Sequence, residues 1–353
     1  MNGGEVLNMK KNGYILTLTG LILFAIIAAR PAVFALGVSA GLKSCSEVII
    51  PSLFGFTAAS GLLGAGELPE RFKKIIAVPM KFLFGLSGES FPALLLGLFG
   101  GYPTVATATK ALLGGGKISK SEAKKLTAFC LSPGIGFCVN AVGGAMLSSR
   151  RAGAVILASI CISVLPLGFI AKHMIKSDFD MPSPTCNTVD FSQALVGSVT
   201  ACANAMLSIC AFVSLFSGLT ACVEAIIPND NIRRAVTMLC EVTNGCISCA
   251  GTVPLEILCA ECAFGGLCIH MQIFALCGEA APCKKMFFLF RTLHAVFSAM
   301  VCKLLLMIFP ISQATLATVG ESRLWSHSAP ASISLLFLSA LLILDLDTKR
   351  KKC

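Results

Sequence analysis

The run LVGSVTACANAMLSICAFVSLFSGLTACVEAII, Leu195–Ile227, holds one formally charged side chain, Glu224. A helix of about 20 mostly apolar residues crosses the hydrocarbon core of a bilayer, so this stretch reads as a transmembrane helix with residues to spare. Similar runs lie to either side of it. Before it come Tyr14–Ala29, Val48–Gly66, Phe91–Leu113, Leu126–Leu147 and Ala152–Ile170. After it come Val236–Gly251, Ile257–Leu276, Met286–Phe309 and Ala329–Leu344. Several are short or interrupted by Gly or Pro, and the length rule gives roughly eight to ten spans. The composition agrees, with 56% hydrophobic and only 13% charged residues, against about 25% charged in a soluble domain. The expected fold is all-α, a polytopic membrane helical bundle with broken or re-entrant helices.

The net charge of +10 sits in short connectors between the apolar runs. These are Arg71, Lys73 and Lys74; Lys117, Lys120, Lys124 and Lys125; Arg150 and Arg151; Arg233 and Arg234; Lys284 and Lys285; and the tail Lys349–Lys352. Basic connectors mark the cytoplasmic side of a polytopic protein. A multi-pass protein of the cell membrane with both termini cytoplasmic follows, with lipid as its partner and no support for nucleic-acid binding. The first run follows Lys10 and Lys11 and ends at Arg30-Pro31 instead of a small-residue cleavage site, so it reads as an uncleaved helix. Most of the 18 cysteines, such as Cys202, Cys210, Cys222, Cys259, Cys262 and Cys268, lie inside apolar runs. There they act as reduced packing residues. Cys246-Ile-Ser-Cys249 stands alone, without a second pair at zinc-site spacing.

A polar connector, Lys172–Asp190, divides the chain into two apolar halves. The expected organisation is a first span and interfacial helix at 1–47, a first repeat at 48–175, the connector at 176–192, a second repeat at 193–310, and a C-terminal span with the basic tail at 311–353. Each half carries two interruptions. The first half has Gly100-Gly101-Tyr102-Pro103-Thr104 and Leu131-Ser132-Pro133-Gly134-Ile135-Gly136. The second has Glu241-Val242-Thr243-Asn244-Gly245 and Phe264-Gly265-Gly266-Leu267, leading to His270 and Gln272. In hydrocarbon a broken helix is tolerated only where protein or water satisfies the freed backbone groups. Matching breaks in two halves point to a binding site at the midplane; Gly and Pro also serve as kinks and close-packing positions.

Several of these motifs resemble a known family. Pro51-Ser52-Leu53-Phe54, Gly100-Gly101-Tyr102-Pro103, Ser119-Lys120-Ser121-Glu122-Ala123, Ser132-Pro133, Glu241–Gly245, Phe264–Leu267 and Arg291 with His294 are similar in order and spacing to the YlbJ-type sporulation integral membrane proteins. That family resembles the nucleoside-recognition or Gate domains, also found in concentrative nucleoside transporters and in the ferrous-iron transporter FeoB. The resemblance implies two Gate-like repeats and a role in spore formation. Two departures stand out. Thr104-Val105-Ala106 replaces the usual small Gly-Ala pair, and Cys130-Leu131 replaces the Asn expected before Ser132-Pro133.

Ionisable side chains inside spans usually face a cavity or a partner. Glu241, Thr243 and Asn244 offer a carboxylate, a hydroxyl and an amide for a cation or polar solute, or for an interhelical hydrogen-bond cluster. Glu261 faces the same cavity or pairs with Arg291 or Lys303. Arg291 and His294, three apart, share a helix face; they serve as a static ion pair with Glu261 or Glu241, or as part of a gating path. His270 and Gln272 point to different sides of a regular helix, unless the Gly-Gly break unwinds it. Metal coordination is not expected at a lone intramembrane His. In the first half Tyr102, Thr104, Ser132 and Asn140 suit hydrogen bonding to a hydroxyl- or amide-rich ligand; Thr and Ser also bond back to helix carbonyls. Ala32–Leu42 and Lys73–Phe84 read as interfacial or re-entrant helices.

Enzyme readings lack support. Leu113-Gly114-Gly115-Gly116-Lys117 has neither the spacing of a phosphate loop nor its Ser or Thr, and it leads into a capping box at Ser119 and Glu122. No cofactor is expected. The functional expectation is transport or gating of a small polar, nucleoside-like solute or an ion through a site between two repeats. The alternative is a membrane scaffold for assembly of the spore cortex or coat.

Overall fold

The computed structural model describes residues 3–176 and 190–311, and every regular element among them is helical. The first half runs through α1 (Gly3–Ala29), α2 (Pro31–Ser44), α3 (Ile50–Ala65), α4 (Glu70–Pro79), α5 (Phe91–Phe99), α6 (Tyr102–Gly114), α7 (Lys120–Phe129) and α8 (Arg150–Met174). π-Helical segments, Cys45–Ile49, Met80–Phe84 and Gly136–Met146, lie between α2 and α3, after α4, and before α8. The second half runs through α9 (Phe191–Glu224), α10 (Asp230–Cys240), α11 (Val242–Cys249), α12 (Leu255–Phe264), α13 (Gly266–Cys277) and α14 (Lys284–Ile308).

Among the described residues five helices are long and apolar enough to cross a membrane: Pro31–Ala65, Arg150–Met174, Phe191–Glu224, Leu255–Ala280 and Lys284–Ile308. A sixth is Glu70–Phe84 with Gly88–Phe99, if that pair, bent by 88°, counts as one span. The chain is therefore an integral, multi-pass membrane protein with an all-α bundle. Its outer surface fits that setting. Ile162, Leu165 and Phe169 of α8, and Val296, Met300 and Met307 of α14, are exposed at helical spacing. Apolar stripes of this kind are expected against lipid and would be a liability in water.

Among the described residues the span count is lower than the length rule suggested, because three expected spans are pairs of half-helices that do not count as single spans and Tyr14–Ala29 is short. Phe91–Leu113 is α5 and α6 about Gly100-Gly101, Leu126–Leu147 is α7 and a π segment, and Val236–Gly251 is α10 and α11 about Glu241. Ala32–Leu42, expected at the interface, is instead the first part of the long span Pro31–Ala65. Small residues explain this. A Cβ on Gly37 would lie 2.6 Å from the Ser217 carbonyl, and one on Gly61 would lie 2.6 Å from the Ser198 hydroxyl. The helix thus seats itself along α9 through a seam of Gly and Ser, the packing that membrane helices favour where backbones must approach. Ala329–Leu344, the basic tail and most of the polar connector lie outside the described residues.

The order of elements repeats between the halves. Each has a long helix (Pro31–Ala65 or α9), two broken helices in succession, and a closing long helix (α8 or α14). The first half adds α1 and α4. The long helices pack together, as do the closing helices α8 and α14, with the half-helices between them. Lysines at connectors serve as caps. Lys117 Nζ donates to the carbonyls of Gly64, Ala65 and Gly66 at the end of α3, at 3.3, 3.3 and 2.7 Å, where a cation complements the helix dipole. The capping box at Ser119 and Glu122 opens α7.

Candidate functional site

Each broken helix crosses its neighbour at the break. In the first half, Gly134 has φ +81, and a Cβ there would lie 2.5 Å from the Gly101 nitrogen and 2.8 Å from the Gly100 carbonyl carbon. Two stretches of open backbone are thus in direct contact, and no side chain fits between them. Thr104 Oγ1 ties the break together, donating to the Leu96 carbonyl at 3.0 Å and lying 2.6 Å from that of Gly101. Ser132 Oγ accepts from the Gly134 N–H at 3.2 Å. The second half is built alike. A Cβ on Gly266 would lie 3.3 Å from the Cys240 carbonyl and 3.3 Å from the Glu241 nitrogen.

A helix that stops inside an apolar protein must find donors for its last four carbonyls. For α12 each of them has one. The Glu261 carbonyl accepts from the Gly265 N–H at 2.9 Å. The Cys262 carbonyl accepts from the Tyr102 hydroxyl, which reaches across from the first half. The Ala263 carbonyl accepts from Arg291 Nη1 at 3.3 Å. The Phe264 carbonyl accepts from His270 Nε2 at 2.9 Å, and rings of Phe264, Phe287 and Phe288 surround that imidazole edge-on. Arg291 also donates to Leu131 at 2.9 Å and Phe129 at 3.4 Å, at the end of α7. One guanidinium therefore joins the carbonyl ends of α7 and α12, one from each half. Those ends carry the negative pole of the helix dipole, so a cation is held there without a carboxylate.

This corrects the expected ion pair. Arg291 is buried, and among the described residues no carboxylate lies within ion-pair distance of it. His294 shares the buried face of α14 but belongs to a different contact. Its Nε2 meets the Ile160 carbonyl of α8 at 3.2 Å, beside a Ser163–Ser298 hydrogen bond of 2.7 Å. Glu261 is buried with Oε1 unpartnered, near Gly245.

Glu241 caps α11. Its two carboxylate oxygens accept from the backbone N–H groups of Thr243 at 2.9 Å and Asn244 at 2.7 Å, the acceptor role expected at a helix N-terminus. Asn244 turns its amide to Ser217 Oγ of α9, at 2.9 Å. Beside this cap is a cavity of about 30 Å³. Tyr102 and Pro133 from the first-half breaks meet Glu241 and Thr243 from the second half around it. Gln272 of α13 completes its polar wall. Gln272 and His270 do point to different sides, as regular helix geometry requires.

Tyr102, Glu241, Thr243 and Gln272 thus line one cavity. Thr104 and Ser132 hold the adjacent breaks, and His270 and Arg291 cap half-helices. Asn140 does not join them. It is exposed on the outer side of the π segment, whose buried side carries Phe137, Cys138, Ala141 and Val142. Sequence reading missed the apolar wall, Ile49, Leu53, Ile209 and Val213, because Ile and Leu inside a span carry no signal of facing a cavity. Among the described residues no group of three or more His, Cys, Asp or Glu is placed to hold a metal ion. The arrangement can hydrogen-bond water or a small polar species, and a volume of about 30 Å³ exceeds the 10–15 Å³ or so that one water needs. No protein-family model, curated protein or solved structure matches the chain.

Proposed function

We propose that this membrane protein passes a small polar solute or an ion across the bilayer, held on its way in the cavity between the crossed half-helices. One observation carries the reading: breaks from both halves of the chain meet at a single cavity whose polar wall is Tyr102, Glu241, Thr243 and Gln272. A transport site at the midplane, built from discontinuous helices of two repeats, has this form. The cavity is far below the roughly 300 Å³ or more of a typical small-molecule site. On this reading the arrangement is a closed state, and a nucleoside-sized solute requires the half-helices to part. Tyr102 and Arg291 tie α12 to the first-half breaks, so parting the half-helices loosens these caps along with the packing of the long helices. The resemblance of the sequence motifs is the support for a role of this activity in spore formation, with Gate-like repeats. The lysine-rich ends of α7, α8 and α14 support a cytoplasmic placement of that side.

Thermal stabilisation of the purified chain by nucleosides, dipicolinate, and monovalent and divalent cations tests the reading. A stabilising ligand should lose its effect in the Glu241→Ala/Asn244→Ala variant. Stabilisation that survives both substitutions, or none across the panel, would remove the site from the account. The second result favours the scaffold reading, which has its own support in the fixed backbone bonds made by Tyr102, His270 and Arg291.

A further inference from the structure

The span Pro31–Ala65 has 35 residues, about 52 Å of helix against a hydrocarbon core of about 30 Å. Its middle is the π segment Cys45–Ile49. Pro51, just beyond, has no N–H to offer the preceding turn, and the Ile50 N–H reaches back five residues to the Cys45 carbonyl. The widened turn directs Cys45 and Ile49 inward, onto α9 and the cavity. It leaves Lys43, Ser46 and Glu47 exposed on the outer side. Glu47 is about 3 Å along the axis from Ile49, and Lys43 about 9 Å, so a bilayer centred on the cavity immerses both charges. Among the described residues neither side chain is in an ion pair. The Ser46 hydroxyl is turned to its own helix, at the Lys43 carbonyl, 2.9 Å away.

Charged side chains at this depth are costly and are normally paired. We infer that a second copy of this chain docks on this face, Lys43 of each copy pairing with Glu47 of the other about a twofold axis normal to the membrane. The face is self-complementary in charge: one cation and one anion, a single helical turn or about 6 Å apart. In two parallel copies Lys43 of one and Glu47 of the other are offset by that one turn, about 6 Å, which the two long side chains span, giving the reciprocal contacts of an isologous interface. Ala32, Ala35 and Ser39 are exposed along the preceding turns, and small residues let helix backbones approach. Lys43, Ser46 and Glu47 stay exposed, as do Leu16 and Phe24 of α1, at 73% and 71%. The depth of the two charges rests on the transport reading, which puts the cavity at the midplane; the mass of the chain reports on the dimer alone.

The test is the mass of the full chain, extracted into lipid nanodiscs, by native mass spectrometry. Wild type should be a dimer, and Lys43→Glu and Glu47→Lys should each lower the dimer fraction at least tenfold. The double charge swap, Lys43→Glu/Glu47→Lys, should restore the dimer. A monomeric wild type, or single variants that dimerise as wild type does, overturns the inference. Ser39→Cys keeps both charges and guards against misfolded variants. In oxidised native membranes it should give a disulfide between the position-39 thiols of two copies, located by peptide mass spectrometry and absent from wild type. A disulfide from position 39 to Cys353 of the same chain, or none, places the chain's own C-terminal segment or lipid on this face and refutes the dimer.

Discussion

Replacing Arg291 by Met removes the donor from three buried carbonyls, those of Leu131, Ala263 and Phe129, at 2.9, 3.3 and 3.4 Å. A buried acceptor left unpaired costs about 1–3 kcal/mol. The two longer bonds are weak, so their loss belongs at the bottom of that range, which brings the total to about 4 kcal/mol. Removing a buried charge returns part of its desolvation cost, which leaves a net loss of about 2–3 kcal/mol. At roughly 2–4 °C per kcal/mol, melting in detergent should fall by roughly 5–10 °C. A thiol-reactive dye reads this well, because most of the described cysteines are buried until the bundle opens. Arg291→Lys, with a single ammonium in place of the fork, should lose about half as much. Glu261→Gln is the decisive companion. If Arg291 answers helix carbonyls, neutralising Glu261 leaves it untouched and melting stays near wild type. If Arg291 were held by Glu261, that variant would strand the guanidinium and fall as far as Arg291→Met. A wild-type melting point for Arg291→Met, or an equal fall for Glu261→Gln, would refute the capping argument.

Three further outcomes follow from the same geometry. Gly134→Ala forces a Cβ to 2.5 Å from the Gly101 nitrogen at φ +81 and should cost more than about 3 kcal/mol or abolish folding, whereas Gly197→Ala, with nothing within 4 Å, should be neutral or slightly stabilising in the same melting assay. Glu241→Ala should lower stability by about 1–2 kcal/mol through loss of the α11 cap, and Glu241→Asn should recover much of it. Cys283 is exposed, and the Lys285 and Met286 backbone N–H groups, with nearby lysines, hold its thiol below the ordinary cysteine value. Its alkylation rate should therefore reach half-maximum below about pH 8.5, and a midpoint at or above that value would contradict the assignment.

The bundle class was legible because apolar length and scarce charge are local properties of the chain. The four breaks were legible for the same reason, since Gly-Gly, Ser-Pro-Gly and Glu-Val-Thr-Asn stand out against apolar neighbours. What the polar residues do there was harder to read. Arg291 suggested a carboxylate partner, but the negative groups it meets are helix carbonyls, which leave no mark in a sequence. Tyr102 caps a helix whose Cys262 carbonyl lies 160 residues further along the chain, a contact set only by how the halves pack. Asn140 was misplaced because the π segment departs from the 3.6-residue period that assigns helix faces. Ala32–Leu42 suggested an interfacial helix as a short apolar piece with Phe34 and Leu36 between Arg30 and Lys43, whereas the close approach of Gly37 to α9 decides where it sits.

The most direct test of the transport reading is the reactivity of a thiol placed in the cavity wall. In the Thr243→Cys chain, reconstituted in liposomes, a small cationic methanethiosulfonate reagent should modify position 243, followed residue by residue in mass spectra. The neighbouring Cys246 and Cys262, fully buried, should stay unmodified. Reaction at position 243 means that water and a small ion reach the crossing of the half-helices as the protein opens. A thiol there that stays as inert as Cys246 would mean a cavity sealed from both sides, and the protein would be a static bundle with no path through it.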